Sequence, residues 1–217
     1  MLNAYIKEPQ QQAQACVIWM HGLGADASDM SGLAGQLKLG GASVRHVFLD
    51  APVRSVTINN GMSMRAWYDI FDLKFTNRED RQGILDSEEK ILKVIHTQIE
   101  QGMPSEKIFL AGFSQGGAMA LHTALNIKFP LAGVIALSAY LPLALECKPV
   151  QPTSTPMFLG FGIYDPLVLP AWSKLTIDWL AEKGYHNLTQ QDYPMEHAIC
   201  VEEINDLSTW FTKIVKG

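Results

Sequence analysis

Residues 107–117 read Lys-Ile-Phe-Leu-Ala-Gly-Phe-Ser-Gln-Gly-Gly. An apolar run ends in Gly112-Phe113-Ser114-Gln115-Gly116, and a small, apolar stretch with helical character follows. Strand, sharp turn and helix in that order form the setting of a nucleophile elbow, G-x-S-x-G. The glycines two before and two after the serine leave room for a strained backbone. Such a turn lifts Ser114 clear of a sheet and brings the N–H of the next residue to the start of a helix. It demands a strand that feeds a helix directly, and few folds provide one.

The rest of the chain repeats that order. Residues 16–20 form a continuous apolar run, as do 131–137 and 157–160, and residues 44–49 are a further strand candidate ended by Asp50-Ala51-Pro52. Runs without alternation suit strands covered on both faces, as in a parallel sheet. Helical spacing appears between them. Residues 28–39 carry Met30, Leu33 and Leu37 after an Asp/Ser-rich start and close on Gly40-Gly41. Residues 84–99 show Ile84, Ile91, Leu92, Ile95 and Ile99, with Asp86 and Glu89 as an internal capping box that leaves the start open. Residues 118–127 follow the elbow. Trp172, Leu175, Trp179 and Leu180 mark a helix that stops near Gly184, and Val201, Ile204, Leu207, Phe211 and Ile214 mark an amphipathic C-terminal one. Residues 188–193 alternate weakly, as an edge strand does. Residues 54–80 form an irregular excursion with room for short strands, carrying Trp67, Tyr68, Phe71, Phe75 and the turn Asn59-Asn60-Gly61. This pattern predicts an α/β protein, one domain over residues 1–217, with a mostly parallel sheet and helices on both faces.

Composition narrows the partners. The chain has 17 Lys/Arg against 22 Asp/Glu and no basic block, so nucleic acid and anionic membrane find no electrostatic attraction. The most apolar stretch, residues 131–145, contains Ser138 and Pro142 and is too short to span a bilayer. The N-terminus lacks the basic start and apolar core of a signal peptide. Cys16, Cys147 and Cys200 are too few and too scattered for a disulfide framework or a zinc site, which predicts free, buried thiols in a reducing, cytoplasmic setting. No phosphate loop, dinucleotide fingerprint or metal-ligand spacing occurs, so no metal and no cofactor are expected.

Ligands of a parallel sheet bind beyond the carboxyl ends of its strands. The residues found there are His21-Gly22-Leu23-Gly24, Ser114-Gln115, Ser138, Asp165 and His197. A serine hydroxyl needs a base, and the base needs a partner to fix its tautomer. His197, in the loop after the last strand, is the candidate base. Asp165, directly after the strand at residues 157–160, is the candidate acid ahead of Asp50, Asp69, Asp72 and Asp192. The order serine, acid, histidine is the one such a sheet requires. His21 competes with His197, but the glycines after it suit an oxyanion loop better. Leu23 and Gln115 are therefore the candidate backbone donors, with the Gln115 side chain in no role.

Taken jointly, His21-Gly22-Leu23-Gly24, Met64-Arg65-Ala66-Trp67-Tyr68-Asp69-Ile70, Gly112-Phe113-Ser114-Gln115-Gly116-Gly117, Asp165-Pro166-Leu167-Val168 and Tyr193-Pro194-Met195-Glu196-His197 resemble the phospholipase/carboxylesterase family. The resemblance implies an α/β-hydrolase fold and cofactor-free hydrolysis of carboxylic esters or acyl thioesters through an acyl-enzyme on Ser114. It implies substrates such as a small ester, an acylated protein or a lysophospholipid, and a monomer or homodimer without stable membrane insertion. It also implies that Ile70, Tyr140 and Leu167 line an acyl channel. Three positions depart from the family pattern: Tyr140 stands for tryptophan, Phe161 for a histidine before the acid, and Glu196 for a glycine before the base. Phe161 and Glu196 keep a second reading open, an acyl-binding protein on a hydrolase scaffold that has lost turnover. A third use of the same triad, in a lyase, would differ in its products.

Overall fold

The structure is a computed structural model that describes residues 2–72 and 79–217. Phe75 and the rest of residues 73–78 of the expected excursion lie outside the described residues. The strands are β1 (Asn3–Lys7), β2 (Ala15–Met20), β3 (Val44–Asp50), β4 (Val53–Val56), β5 (Met62–Arg65), β6 (Ile108–Phe113), β7 (Gly133–Leu137), β8 (Met157–Gly162) and β9 (Leu188–Tyr193). The helices are α1 (Ala27–Ala34), α2 (Arg81–Glu100), α3 (Gln115–Asn126), α4 (Pro170–Glu182) and α5 (Val201–Lys216). Seven strands form one sheet in the order β1-β3-β2-β6-β7-β8-β9. All neighbours pair in parallel except β1, which is antiparallel to β3. β4 and β5 make a separate antiparallel ribbon.

The unbroken apolar runs are unbroken because both faces are covered. In β2 every residue is buried. Cys16, Ile18 and Met20 pack toward α2, α3 and α4, while Ala15, Val17 and Trp19 pack toward α1 and α5. Successive strand residues point to opposite faces, so each such run builds two cores at once. Among the described residues no helix is long and apolar enough to cross a membrane.

Several expectations need correction. The first helix ends at Ala34 rather than near residue 39, and Gly35 caps it. Its start carries a capping box between Asp26 and Asp29, which satisfies two donors that the helix cannot. α2 begins earlier than its apolar pattern, because Asp80 caps it by accepting from Gly83 N, and the Asp86/Glu89 box is not the cap. The excursion, by contrast, holds short strands as expected, in the β4–β5 ribbon closed by Asn60 and Gly61 in left-handed conformations. β1 gave no apolar signal, since all five of its residues are exposed and it is bonded on one side only. The three cysteines are free, but only Cys16 is buried and Cys147 and Cys200 are half-buried.

One charged side chain sits inside this packing. Glu203 of α5 is wholly buried against β8, and a Cβ on Gly160 would overlap its carboxyl group. Neither carboxyl oxygen has a hydrogen-bond partner among the described residues. Burial pushes the acid up from 4.5 to about 8, so it stays protonated at neutral pH. The folded chain therefore holds this proton more tightly than the unfolded chain. The associated stability is full below pH 4.5 and is lost as pH rises to about 8. Thermal melts from pH 5 to 8 will show the wild type losing a few kcal/mol relative to Glu203→Gln; parallel curves would mean that the carboxyl titrates normally.

Candidate active site

Ser114 stands between β6 and α3 with φ 54° and ψ −121°, a region that costs a non-glycine residue about 1–3 kcal/mol. Two backbone bonds hold it there: Ser114 N donates to Leu137 O at 2.8 Å, and Ala118 N donates to Ser114 O at 2.9 Å. The flanking glycines answer to contact rather than to φ. A Cβ on Gly112 would collide with the Gly116 carbonyl group, and one on Gly116 would collide with the Met20 carbonyl group. The elbow is thus wedged against the ends of β6 and β2. Ser114 remains half-exposed, open to a substrate.

Asp165 follows β8 and is 3% exposed. Its Oδ1 accepts from Leu167 N at 2.8 Å and Val168 N at 2.9 Å, and its Oδ2 accepts from His197 Nδ1 at 2.7 Å. Three donors replace the water that the carboxylate has lost. The Asp165 bond places the imidazole proton on Nδ1 and leaves Nε2 as an acceptor. Nε2 lies 2.8 Å from Ser114 Oγ, which donates to it. The Phe113 ring packs against the imidazole with centroids 4.9 Å apart. Ser114, Asp165 and His197, drawn from three loops, are therefore joined in one hydrogen-bonded line.

The rival groups are engaged elsewhere. His21 is fully buried; its Nδ1–H donates to Gly22 O at 2.6 Å and its Nε2 accepts from Ala51 N at 3.0 Å. Burial lowers its pKa, so it is neutral and has no free lone pair for a base. Asp50 accepts from Ala27 N and pairs with Arg65, while Asp69 accepts from the backbone and hydroxyl of Thr57. Asp72 and Asp192 are exposed. Ser138 is buried, with its backbone N donating to Gly160 O. His46 is buried as the acceptor of the Trp19 indole N–H, and burial lowers it to about 4.

The Gly22-Leu23 turn lies directly over the elbow, since a Cβ on Gly22 would sit 3.5 Å from Ser114 Cβ. Neither Leu23 N nor Gln115 N has a hydrogen-bond partner among the described residues. Gln115 N also opens α3, where the helix dipole favours negative charge. The Gln115 side chain, expected to be idle, is in fact fully engaged: Oε1 accepts from Trp67 N at 2.9 Å and Nε2 donates to Tyr68 O at 2.7 Å.

Tyr140 lines a groove of about 600 Å³ with Leu141, Leu143, Trp172, Leu175 and Trp179. Ile70 and Leu167 are not among its lining residues. Ile70 is half-buried against the core, and Leu167 is exposed beside Asp165. The tyrosine at 140 brings a hydroxyl that meets Tyr68 Oη at 3.2 Å. Burial raises the pKa of both phenols, and of Glu79 beside Tyr140. Phe161 is a core residue, and Glu196 is exposed.

Sequence comparison matches residues 1–215 to the phospholipase/carboxylesterase family. An acyl-protein thioesterase 1 of Neurospora crassa is 37% identical over 92% of this chain and 86% of its own length. One of Cryptococcus neoformans is 34% identical over 96% of this chain and 95% of its own. Among solved structures, acyl-protein thioesterase 2 of Zea mays superposes with a TM-score of 0.85 at 25% identity, covering 98% of this chain and 99% of that one. Arabidopsis thaliana SOBER1 gives a TM-score of 0.83 at 28% identity over 93% of this chain and 99% of its own.

The wedge at the elbow is directly testable. Gly116→Ala is expected to cost about 3 kcal/mol or more in urea unfolding, because the added methyl meets backbone that cannot move aside. Gly32→Ala, on the open face of α1, is the control: it has nothing within 4 Å and is expected to be neutral or slightly stabilising.

Proposed function

The chain belongs to the phospholipase/carboxylesterase family, and from that premise we propose that Ser114, His197 and Asp165 hydrolyse carboxylic esters and acyl thioesters through an acyl-enzyme on Ser114. Family and sheet topology together make the protein an α/β-hydrolase and an enzyme. One observation carries the assignment of roles: a single imidazole bridges Asp165 at 2.7 Å and Ser114 at 2.8 Å.

As Ser114 Oγ attacks the carbonyl carbon, its proton passes to His197 Nε2. The imidazolium that forms is stabilised by Asp165, which keeps its own charge. The carbonyl oxygen becomes an oxyanion facing the N–H groups of Leu23 and Gln115. Collapse of the tetrahedral intermediate breaks the bond to the alcohol or thiol, which leaves with the proton from His197. Water then gives a proton to the same Nε2 and attacks the acyl carbon. A second tetrahedral intermediate releases the acid and returns the proton to Ser114 Oγ.

The relatives' name points to acylated protein as a substrate, and lysophospholipids and small esters present the same carbonyl. Ile70, Tyr140 and Leu167 are the positions we assign to the acyl side. We read residues 1–217 as one hydrolase domain acting in the cytoplasm, where free Cys16, Cys147 and Cys200 remain reduced. The reading as an inert acyl-binding protein rested on Phe161 and Glu196. With Phe161 in the core and Glu196 turned to solvent, neither argues against turnover.

Chromogenic esters and thioesters of increasing acyl length test the proposal. Ser114→Ala is expected to lose about 10⁴-fold or more in kcat, and a variant with near-normal rates would refute the assignment. Wild type is expected to react covalently with a fluorophosphonate, and Ser114→Ala is not. Hydrolysis is expected to fall on acidification, as His197 gains the proton that blocks Nε2. A rate profile from pH 5 to 8 that stays flat with chemistry limiting would exclude His197 as the base.

A further inference from the structure

The two backbone groups assigned to the oxyanion come from distant parts of the chain. Leu23 follows β2, and Gln115 opens α3. Their spacing must be right to a fraction of an ångström, and Leu23 lies in a glycine-flanked turn that cannot stiffen itself. Something else has to hold that turn.

Two contacts hold it, one on each side of Leu23. Before it, His21 O accepts from Trp67 Nε1 at 2.9 Å. After it, Gly24 N donates to Arg65 O at 2.9 Å. Both partners belong to residues 65–67, where the ribbon ends. That segment is itself fastened to the elbow. The Gln115 amide meets Trp67 N and Tyr68 O as a neighbouring strand would, one acceptor and one donor side by side. The Ser87 hydroxyl closes the far side by donating to Trp67 O. Trp67 is fully buried, its ring lies beside His21 with centroids 5.6 Å apart, and a Cβ on Gly116 would come within 2.6 Å of His21 O. His21 is thus pressed between α3 on one side and the Trp67 indole on the other.

We propose that the side chains of Gln115 and Trp67 are positioning residues that fix the oxyanion site, tying the Leu23 turn to the elbow through one circuit of hydrogen bonds and backbone packing. The residue that supplies one oxyanion donor from its backbone sets the place of the other donor with its side chain. The circuit runs from Gln115 through Trp67 to His21 and closes by packing, where the Gly116 backbone meets His21 O. The Asp165–His197–Ser114 line has no member in it, so a change in the circuit acts on the oxyanion and spares proton transfer. This inference rests on the proposed roles of Leu23 and Gln115.

Trp67→Phe removes the indole N–H and keeps a ring. Gln115→Met keeps the length of the side chain and removes both of its bonds. In each variant kcat is expected to fall about tenfold or more with KM within about twofold. Affinity for an alkyl trifluoromethyl ketone, whose adduct with Ser114 carries the oxyanion, is expected to weaken in proportion to kcat/KM. The acid limb of the pH–rate profile is expected to stay where it is in wild type, because His197 is untouched. A folded variant with wild-type kcat and ketone affinity would overturn the proposal. So would a lowered kcat with a displaced acid limb, which would place the damage in the proton-transfer line. Should Trp67→Phe fail to fold, Gln115→Met decides by the same measurements. Ser114→Ala assayed alongside separates the two levels: if it stays active, the reading of the site fails first.

Discussion

At Gly116 the backbone of α3 lies against the carbonyl groups of Met20 and His21 with no room for a side chain. This contact joins the helix after the elbow to the end of the neighbouring strand, and much of the site follows from it. It requires β2 and β6 to lie side by side in register, as they do from Cys16↔Ile108 to Met20↔Gly112. It sets the left-handed turn at Ser114, because α3 can start only where its first turn clears β2. It also brings the His21–Gly24 loop over the nucleophile. Strain at one residue is thus repaid by packing along two strands and a helix, which is how a sparsely populated conformation persists.

The charged groups around this frame follow two rules. Asp165 is buried, and three donors converge on it, an arrangement suited to steadying a positive imidazole. Glu203 is buried as deeply against the adjacent face of β8, and without donors burial keeps it protonated. Two buried acids are thus treated differently: three donors meet one, and none among the described residues meets the other. His21 and His197 form a similar pair. Both imidazoles are held at both nitrogens, but His21 is held by its own carbonyl neighbour and a backbone amide, which leaves it nothing to exchange.

Most of this frame was legible in the sequence. Buried strands announce themselves as unbroken apolar runs, and Ser114 and Asp165 follow such runs, whereas His197 follows the weakly alternating edge strand. What escaped had a physical reason in each case. β1 has no buried face, so its residues carry no pattern. The early start of α2 is set by the Asp80 side chain reaching Gly83, a contact that apolar periodicity does not report. The Gln115 amide and the Trp67 indole act across 48 and 46 residues, and nothing in either neighbourhood marks the partner. The Asn59-Asn60-Gly61 turn was visible, but the four-residue strands it joins were too short to show alternation. Where Ile70, Tyr140 and Leu167 stand relative to the nucleophile depends on how loops fold over the sheet, which no local pattern encodes.

The seven strands do not share the site equally. Ser114 leaves β6, which is flanked by β2 and β7, near the middle of the sheet. His197 leaves β9, which is the last strand and is bonded on one side only. Its outward residues are largely exposed, so little apolar surface is lost when it loosens. The nucleophile is therefore anchored in the most persistent part of the molecule and the base in one of the least. On warming, fraying of this edge would separate His197 from Ser114 while the central strands stay paired. Activity would then fade reversibly ahead of global unfolding, and the edge strand would act as the fuse of the catalytic line.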